Sequence, residues 1–180
     1  MGQDAKTREA RFTRLYDAHY TAVRAYAWRR GPDAADDVVA ETFTLAWQRL
    51  DRVPAEPLPW LIGIARNVRL NQERGERRRR RRELRSAASE VEPWLAEGFD
   101  GDVPLAEALH LLSPRDREVL LLAAWEELDG AGLASALGCT KTAAAVRLHR
   151  ARRRLMAALA VSEAENSHLA AKRGGVLDGS

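Results

Sequence analysis

Apolar residues return every three to four positions along most of this chain, and no stretch alternates with period two for long enough to make a strand. Phe12, Leu15, Tyr16, His19, Tyr20, Val23 and Ala27 fall on one helical face. The stretch "RGPDAAD" stops that helix at Gly31 and opens another, with Pro32 and Asp33 as entry residues. Val39, Phe43, Ala46 and Leu50 form the apolar stripe of this second helix, which is expected to run to about Leu50. "DRVPAEPLP" has three prolines in nine residues and reads as an extended loop. A third helix is expected from Trp60, burying Leu61, Ile64, Ala65 and Val68 and continuing into a run of arginines. These three helices make one small bundle.

The period is lost over residues 83–103, where Pro93, Gly98 and Gly101 interrupt it. Fully extended, such a stretch spans at most roughly 70 Å, so the parts on either side can work at separate places. From Pro104 the helical period resumes in "PLAEALHLL". In "SPRD", Ser113 suits an N-cap, Pro114 the first helical position and Asp116 the positive end of the helix dipole, with the helix continuing through Glu118 to Trp125. "DGAGLASALGCT" is a short helix ended by Gly138, and Thr140 suits the N-cap of a last helix over 141–159. The pattern therefore predicts an all-α fold: two small helical domains joined by a flexible acidic linker, the second containing a helix-turn-helix. Their expected limits are 10–82, a linker over 83–103, and 104–160, with a mobile tail over 161–180.

Composition permits a core, because 46% of the 180 residues are apolar. The formal net charge is only +3, but it is unevenly placed. Residues 66–85 hold ten arginines against Glu73, Glu76 and Glu83, and six of the arginines, Arg77 to Arg82, are consecutive. Residues 141–154 hold six basic side chains and no acidic one. Between these blocks Glu90, Glu92, Glu97, Asp100 and Asp102 face no base. A basic–acidic–basic chain points to a polyanion gripped at two places. The single cysteine, Cys139, allows no internal disulfide, which fits a reducing compartment. The start, "MGQDAKTREA", has no apolar core of a signal peptide, and no window approaches a membrane span, so a soluble cytoplasmic protein without membrane insertion is expected.

Two basic constellations suit nucleic acid. In "ALGCTKTAAAVRLHRARRRL", Leu133 and Leu137 bury one helix, Gly138 turns the chain, and Val146, Leu148 and Leu155 are expected to tie the next helix to the core. Lys141, Thr142, Arg147 and Arg150 are then left to meet DNA, together with Arg152, Arg153 and Arg154. The other is the arginine run, which continues a helix bearing Trp60, Asn67 and Asn71. Phosphate-gripping cations beside an aromatic suit melted DNA, whose exposed bases can stack. A solvated basic face is the plainer alternative, but like charges with no acidic relief favour a polyanion.

Asp36, Asp37 and Glu41 lie close together on a helix, with Gln48 two turns on. Paired carboxylates can bind metal or serve acid–base chemistry. No histidine stands at ligand spacing, so an acidic stripe for a basic protein partner is the better reading, with no metal and no cofactor. Ser113 and Cys139 have no neighbouring base, so a nucleophilic enzyme is not supported.

The order of these parts resembles the extracytoplasmic-function (ECF) sigma factors of bacterial RNA polymerase. "LYDAHYTAVRAYAWRRGPDAADDVVAETFTLAWQRLDRV" is similar to the first part of their N-terminal domain, "PWLIGIARNVRLNQERGERRRRR" to its promoter-melting helix, and "LSPRDREVLLLAAWEELDGAGLASALGCTKTAAAVRLHRARRRL" to the C-terminal domain. The resemblance implies a non-enzymatic initiation factor that binds core RNA polymerase through Asp36, Asp37, Glu41 and Gln48, with Asp37 and Glu41 carrying the contact on the polymerase clamp. Ala40 stands where the family usually has glutamine. The resemblance also implies capture of the minus-ten element by the loop "DRVPAEPLP" and the helix after it, through Trp60, Asn67, Asn71, Arg77, Arg78, Arg79 and Arg80. The minus-thirty-five element would be met by Lys141, Thr142, Arg147 and Arg150. There "AAAVR" replaces the family's more usual "TVKSR", so Ala143, Ala144 and Ala145 would offer only apolar contact to the groove. "GAG", at 130–132, likewise replaces a stretch that usually carries an acidic residue, at a cost of about 1 kcal/mol per glycine in helix propensity. Promoter DNA, double-stranded and melted, and an anti-sigma factor are the further partners implied. The alternative is a free-standing helix-turn-helix regulator that binds operators without polymerase.

Overall fold

Every regular element among the described residues is a helix. The computed structural model describes the backbone of residues 2–83 and 103–174 and the side chains of 5–79 and 104–162. The acidic linker expected between the halves and the side chain of Arg80 lie outside these residues. The helices are α1 (Gly2–Trp28), α2 (Ala35–Gln48), α3 (Pro57–Glu83), α4 (Val103–Leu111), α5 (Pro114–Ala124), α6 (Gly130–Leu137) and α7 (Lys141–Gly174). Short 3-10 turns, Pro32–Ala34 and Leu50–Arg52, flank α2. The all-α expectation therefore holds. No helix among the described residues is long and apolar enough to cross a membrane.

The chain divides into two compact units, one of Met1–Glu90 with Leu128–Lys141, the other of Val91–Glu127 with Thr142–Ser180. In the first, α1, α2 and α3 bury the stripes that the period predicts: Leu15, Val23 and Ala27, then Val39, Phe43, Ala46 and Leu50, then Leu61, Ile64, Ala65 and Val68. An aromatic seam joins α1 to α2. Phe12 meets Trp47 edge to face at 5.1 Å, and Tyr16 lies 4.6 Å from Phe43. Such pairs add about 0.5–1.5 kcal/mol each beyond their buried area. Thr42 is polar yet fully buried, and its hydroxyl donates to the Val38 carbonyl at 2.6 Å, so no donor is lost.

The loop between α2 and α3 is shorter than the prolines suggest. α3 begins at Pro57, three residues before Trp60, and Pro57 and Pro59 both occupy its first turn. A first turn has no use for its own N–H groups, so proline starts a helix as readily as it breaks one. The helix then runs unbroken into the arginines as far as Glu83.

Sequence order groups α6 with the helices that follow the linker, whereas the compact grouping places it with α1, α2 and α3. α6 opens on two glycines within three residues and is held by its caps. Asp129 Oδ1 accepts from the N–H groups of Ala131 (3.0 Å) and Gly132 (2.7 Å). At the other end Gly138 adopts a left-handed φ of 61°, and the Cys139 N–H reaches back to the Ala134 carbonyl at 3.0 Å. Glycine reaches that conformation without the Cβ clash that penalises other residues.

The second unit packs α4, α5 and α7 around Leu109, Leu112, Leu120 and Ala151, with Leu105, Leu148 and Leu155 against them. Arg117 is buried and caps α4, with its guanidinium donating to the carbonyls of Leu109 (2.9 Å), His110 (3.2 Å) and Leu112 (3.3 Å). α7 continues past the expected end near Leu159 to Gly174, and buried Ser162 donates to Glu107 at 2.6 Å. Ser113 is the N-cap of α5, as the sequence predicts, accepting from the Asp116 N–H at 3.2 Å.

Asp116 also binds Arg154 of α7 at 2.6 Å. Burial pushes its carboxyl up, but the Ser113 hydrogen bond and the Arg154 guanidinium outweigh that and hold it below the usual carboxylate range. A depressed folded pKa gives stability that is present above the unfolded value, about 3.9, and is lost as pH falls through the folded value. Arg154→Ala is therefore expected to lower the melting temperature at neutral pH and to narrow the gap between neutral and acid stability. Thermal denaturation at a series of pH values reads both, and an unchanged gap would refute the role of this pair.

Candidate nucleic-acid and protein interfaces

Three exposed faces carry the residues singled out in the sequence. On α2, Asp37, Glu41 and Gln48 are exposed and stand at i, i+4 and i+11, within about 40° of one another around the helix axis. Their side is opposite to buried Val39, Phe43 and Ala46. Gln72 of α3 donates to Glu41 at 3.4 Å. Asp36 lies about a quarter-turn away and pairs with Arg24 of α1 at 3.6 Å, so it stands apart from the other three. Ala40 is exposed beside Glu41 and has no side-chain hydrogen-bonding group to offer. Carboxylates at both Asp36 and Asp37 also complement the dipole of the first turn of α2.

On α3, Trp60 is half-buried, while Asn67, Asn71, Arg77, Arg78 and Arg79 are exposed. Asn67, Asn71, Arg74 and Arg78 recur at i, i+4, i+7 and i+11 and so form one row, in line with Trp60 two turns earlier. Arg74 donates to Asn71 at 3.3 Å, and Arg78 to the Arg74 carbonyl at 3.2 Å. The row starts with an aromatic and two amides and ends in guanidinium groups. Arg74 belongs to it and was not among the expected contacts; counting by four and three from Asn67 reveals it.

On α7, Lys141, Thr142, Arg147 and Arg150 are exposed, as expected. The inward side differs from the sequence reading. Ala144 and Ala151 are fully buried, with Leu148 and Leu155 at the same spacing, while Val146 is 41% exposed. Ala144 therefore cannot meet a groove, and Val146 does not anchor the helix. The outermost line is Thr142, Val146, His149 and Arg153, all exposed at i, i+4, i+7 and i+11. Val146 and His149 are thus candidates that local reading of "AAAVR" misses, and Arg153, already expected to face DNA, shares their line. Arg154 is engaged by Asp116 and is the least available cation of its cluster.

Among the described residues no group of three or more His, Cys, Asp or Glu side chains is placed to hold a metal ion. The three faces can grip anions, stack on bases and dock a basic surface; none of them assembles a nucleophile with a base.

Two family models match the chain: Sigma-70 region 2 over residues 15–83 and Sigma-70, region 4 over residues 102–155. The chain is 30% identical over 149 residues to the ECF RNA polymerase sigma factor SigL of Mycobacterium tuberculosis, covering 78% of this chain and 84% of SigL. It is 32% identical over 168 residues to the RNA polymerase sigma factor NccH of Alcaligenes xylosoxydans xylosoxydans, covering 84% of this chain and 88% of NccH. It is 37% identical over 138 residues to the probable RNA polymerase sigma factor RfaY of Xanthomonas campestris pv. campestris, which takes in 71% of this chain but only 34% of RfaY. Among solved structures it resembles a chain of the co-crystal of the sigma factor RpoE with the anti-sigma factor NepR from Bartonella quintana (TM-score 0.61, 27% identity, 83% of this chain and 97% of that one). It also resembles a chain of CnrH in complex with the cytosolic domain of CnrY (TM-score 0.54, 27% identity, 83% and 88% covered).

Proposed function

This chain belongs to the extracytoplasmic-function sigma factors, the family that directs transcription initiation by RNA polymerase, and we propose that its three exposed faces divide that work. The stripe of Asp37, Glu41 and Gln48, flanked by Asp36, docks on core RNA polymerase. The row of Trp60, Asn67, Asn71, Arg74 and Arg78, together with Arg77, Arg79 and Arg80, holds the minus-ten element as it melts. Lys141, Thr142, Arg147 and Arg150 meet the duplex of the minus-thirty-five element. The protein acts in the cytoplasm, has no catalytic activity of its own, and is held in check by an anti-sigma factor. The observation that carries this reading is the order of faces on one chain: an acidic stripe on α2, an amide-and-arginine row on α3, and a basic surface on α7.

Melting requires a surface that prefers unstacked bases to paired ones. Trp60 and the two amides supply stacking and Watson–Crick-edge hydrogen bonds, and the arginines hold the separated strand by its phosphates. On α7, Arg147 is exposed and long enough to reach a guanine edge. If Arg147 reads a base bidentately, Arg147→Ala costs about 1–3 kcal/mol of promoter binding and relaxes preference at one base pair. Scanning each upstream base with wild type and variant, in the presence of core polymerase, reads this directly; a loss indifferent to sequence would assign Arg147 to phosphate.

The function is tested by mobility shift on a candidate promoter with purified core polymerase. The sigma reading expects a stable complex only when protein and polymerase are both present. A sequence-specific complex of the protein alone, unaffected by polymerase, would instead mark a free-standing helix-turn-helix regulator.

A further inference from the structure

We propose that the bare backbone at Gly75 of α3 is a seat for one phosphate of the melted strand, a site that deepens the sigma-factor reading above and rests on it. Gly75 lies inside α3 between exposed Arg74 and Glu76, where glycine is disfavoured more than any residue except proline. Nothing within the chain requires it. An added Cβ would meet no atom within 4 Å, whereas at Gly63 of the same helix it would press on the Ala136 carbonyl oxygen at 3.2 Å. The backbone at Gly75 is helical, and among the described glycines only Gly31 and Gly138 have positive φ. With packing and conformation set aside, the remaining use of a glycine is to let a ligand approach the backbone closely.

The surroundings identify the ligand. On a helix the neighbours of Gly75 on its own face stand three and four positions away: Asn71 and Gln72 on one side, Arg78 and Arg79 on the other. Asn71 Oδ1 accepts from Arg74 at 3.3 Å, so what Asn71 can offer a ligand is its NH2, a donor. Arg78 Nε donates to the Arg74 carbonyl at 3.2 Å, which holds that guanidinium along the helix, and Arg79 is exposed beside it. Gln72 is turned toward Glu41 of α2 at 3.4 Å and marks the edge of the seat on the side of the acidic stripe. The acids of α3 itself do not face the seat. Glu73 is paired with Arg69 on the far side, and Glu76 points about 100° away around the axis. An amide and two guanidinium groups around bare backbone match an anionic oxygen group, with donors on both sides and no side chain to hold it off. Trp60, Asn67 and Asn71 run alongside, so the phosphate belongs to the strand whose unpaired bases that row receives.

Gly75→Ala tests the seat in the free, full-length protein. Binding of a single-stranded oligodeoxynucleotide is followed by fluorescence anisotropy over a series of salt concentrations. The variant removes no charge. It is nevertheless expected to bind at least about threefold more weakly, and to flatten the slope of log affinity against log salt by about 0.7, the share of one phosphate on a single strand. Circular dichroism is expected to show no loss of helix, since alanine is the better helix former. Unchanged affinity, weaker binding with an unchanged slope, or weaker binding that follows lost helix overturns the proposal. An equal loss on duplex of the same sequence also overturns it, because the seat is assigned to a melted strand. The competing role for a helical glycine is a hinge. Gly75→Ala/Glu76→Gly is therefore compared with Gly75→Ala/Glu76→Ala: equal slopes support the seat, and recovery only with Glu76→Gly overturns it. Promoter opening by core polymerase with the wild-type protein is read separately. If it fails while the oligonucleotide results hold, the sigma-factor reading falls and the phosphate seat stands.

Discussion

Arginine at both Asp37 and Glu41 is expected to abolish binding to core polymerase while the three-helix bundle stays folded. Both side chains are exposed, and neither supports the buried stripe of Val38, Val39, Phe43 and Ala46. The internal costs are small: a cation in the first turn of α2 opposes the helix dipole by about 0.3–1 kcal/mol, and the Gln72 contact to Glu41 is an exposed hydrogen bond at 3.4 Å. Across an interface with a basic partner the same change replaces two attractions by two repulsions. Removing one partner of a desolvated charge pair costs about 2–5 kcal/mol, so reversal of two should weaken binding by at least about a thousandfold. Co-purification with core polymerase, alongside circular dichroism of the variant, checks it. Normal binding by a folded double variant would refute the assignment. Asp36→Asn should do far less to binding, because Asp36 lies off the stripe and already faces Arg24.

The second large effect is electrostatic. Glutamine at Arg77, Arg78 and Arg79 is expected to weaken promoter binding strongly and almost equally for all sequences. Each phosphate contact contributes about 0.9 to the slope of log affinity against log salt for duplex DNA and about 0.7 for single strands, so removing three should flatten that slope by about 2–3. A titration of promoter complexes over salt concentration, with two unrelated promoters, measures both the slope and its independence of sequence. A changed sequence preference with an unchanged slope would place these side chains on bases. The three are exposed at the far end of α3, so the fold should not suffer.

Much of this architecture was legible because one physical signal dominates it. Where a helix buries an apolar stripe, as in Val39, Phe43 and Ala46 or Leu61, Ile64 and Val68, the 3.6-residue period exposes it. The Ser113 cap was equally plain, because a hydroxyl followed by proline and an acid suits the orphan N–H groups of a first turn. Where contacts rely on backbone proximity the period is silent. Nothing apolar marks Gly63 as lying against Ala136, or Gly132 against Pro59, so α6 could not be placed against α3 from sequence. Three prolines concealed the start of α3, since proline fits a first turn as well as a loop. The face of α7 was misjudged because alanines carry little signal: Ala144 is fully buried and Val146 exposed, the reverse of what their size suggests. Residue type alone makes Arg154 one more DNA cation, whereas Asp116, 38 residues earlier, accepts a hydrogen bond from it. The candidate site residues were found through residue type and resemblance, and the structure adds which of them share a face.

The central claim is that this chain confers promoter-specific initiation on core RNA polymerase. Transcription from a linear promoter template by purified core enzyme, with and without the full-length protein, tests it most directly. The account predicts a discrete transcript from one start site only when the protein is present, lost with the Asp37→Arg/Glu41→Arg variant. The same transcript pattern with and without the protein would contradict it.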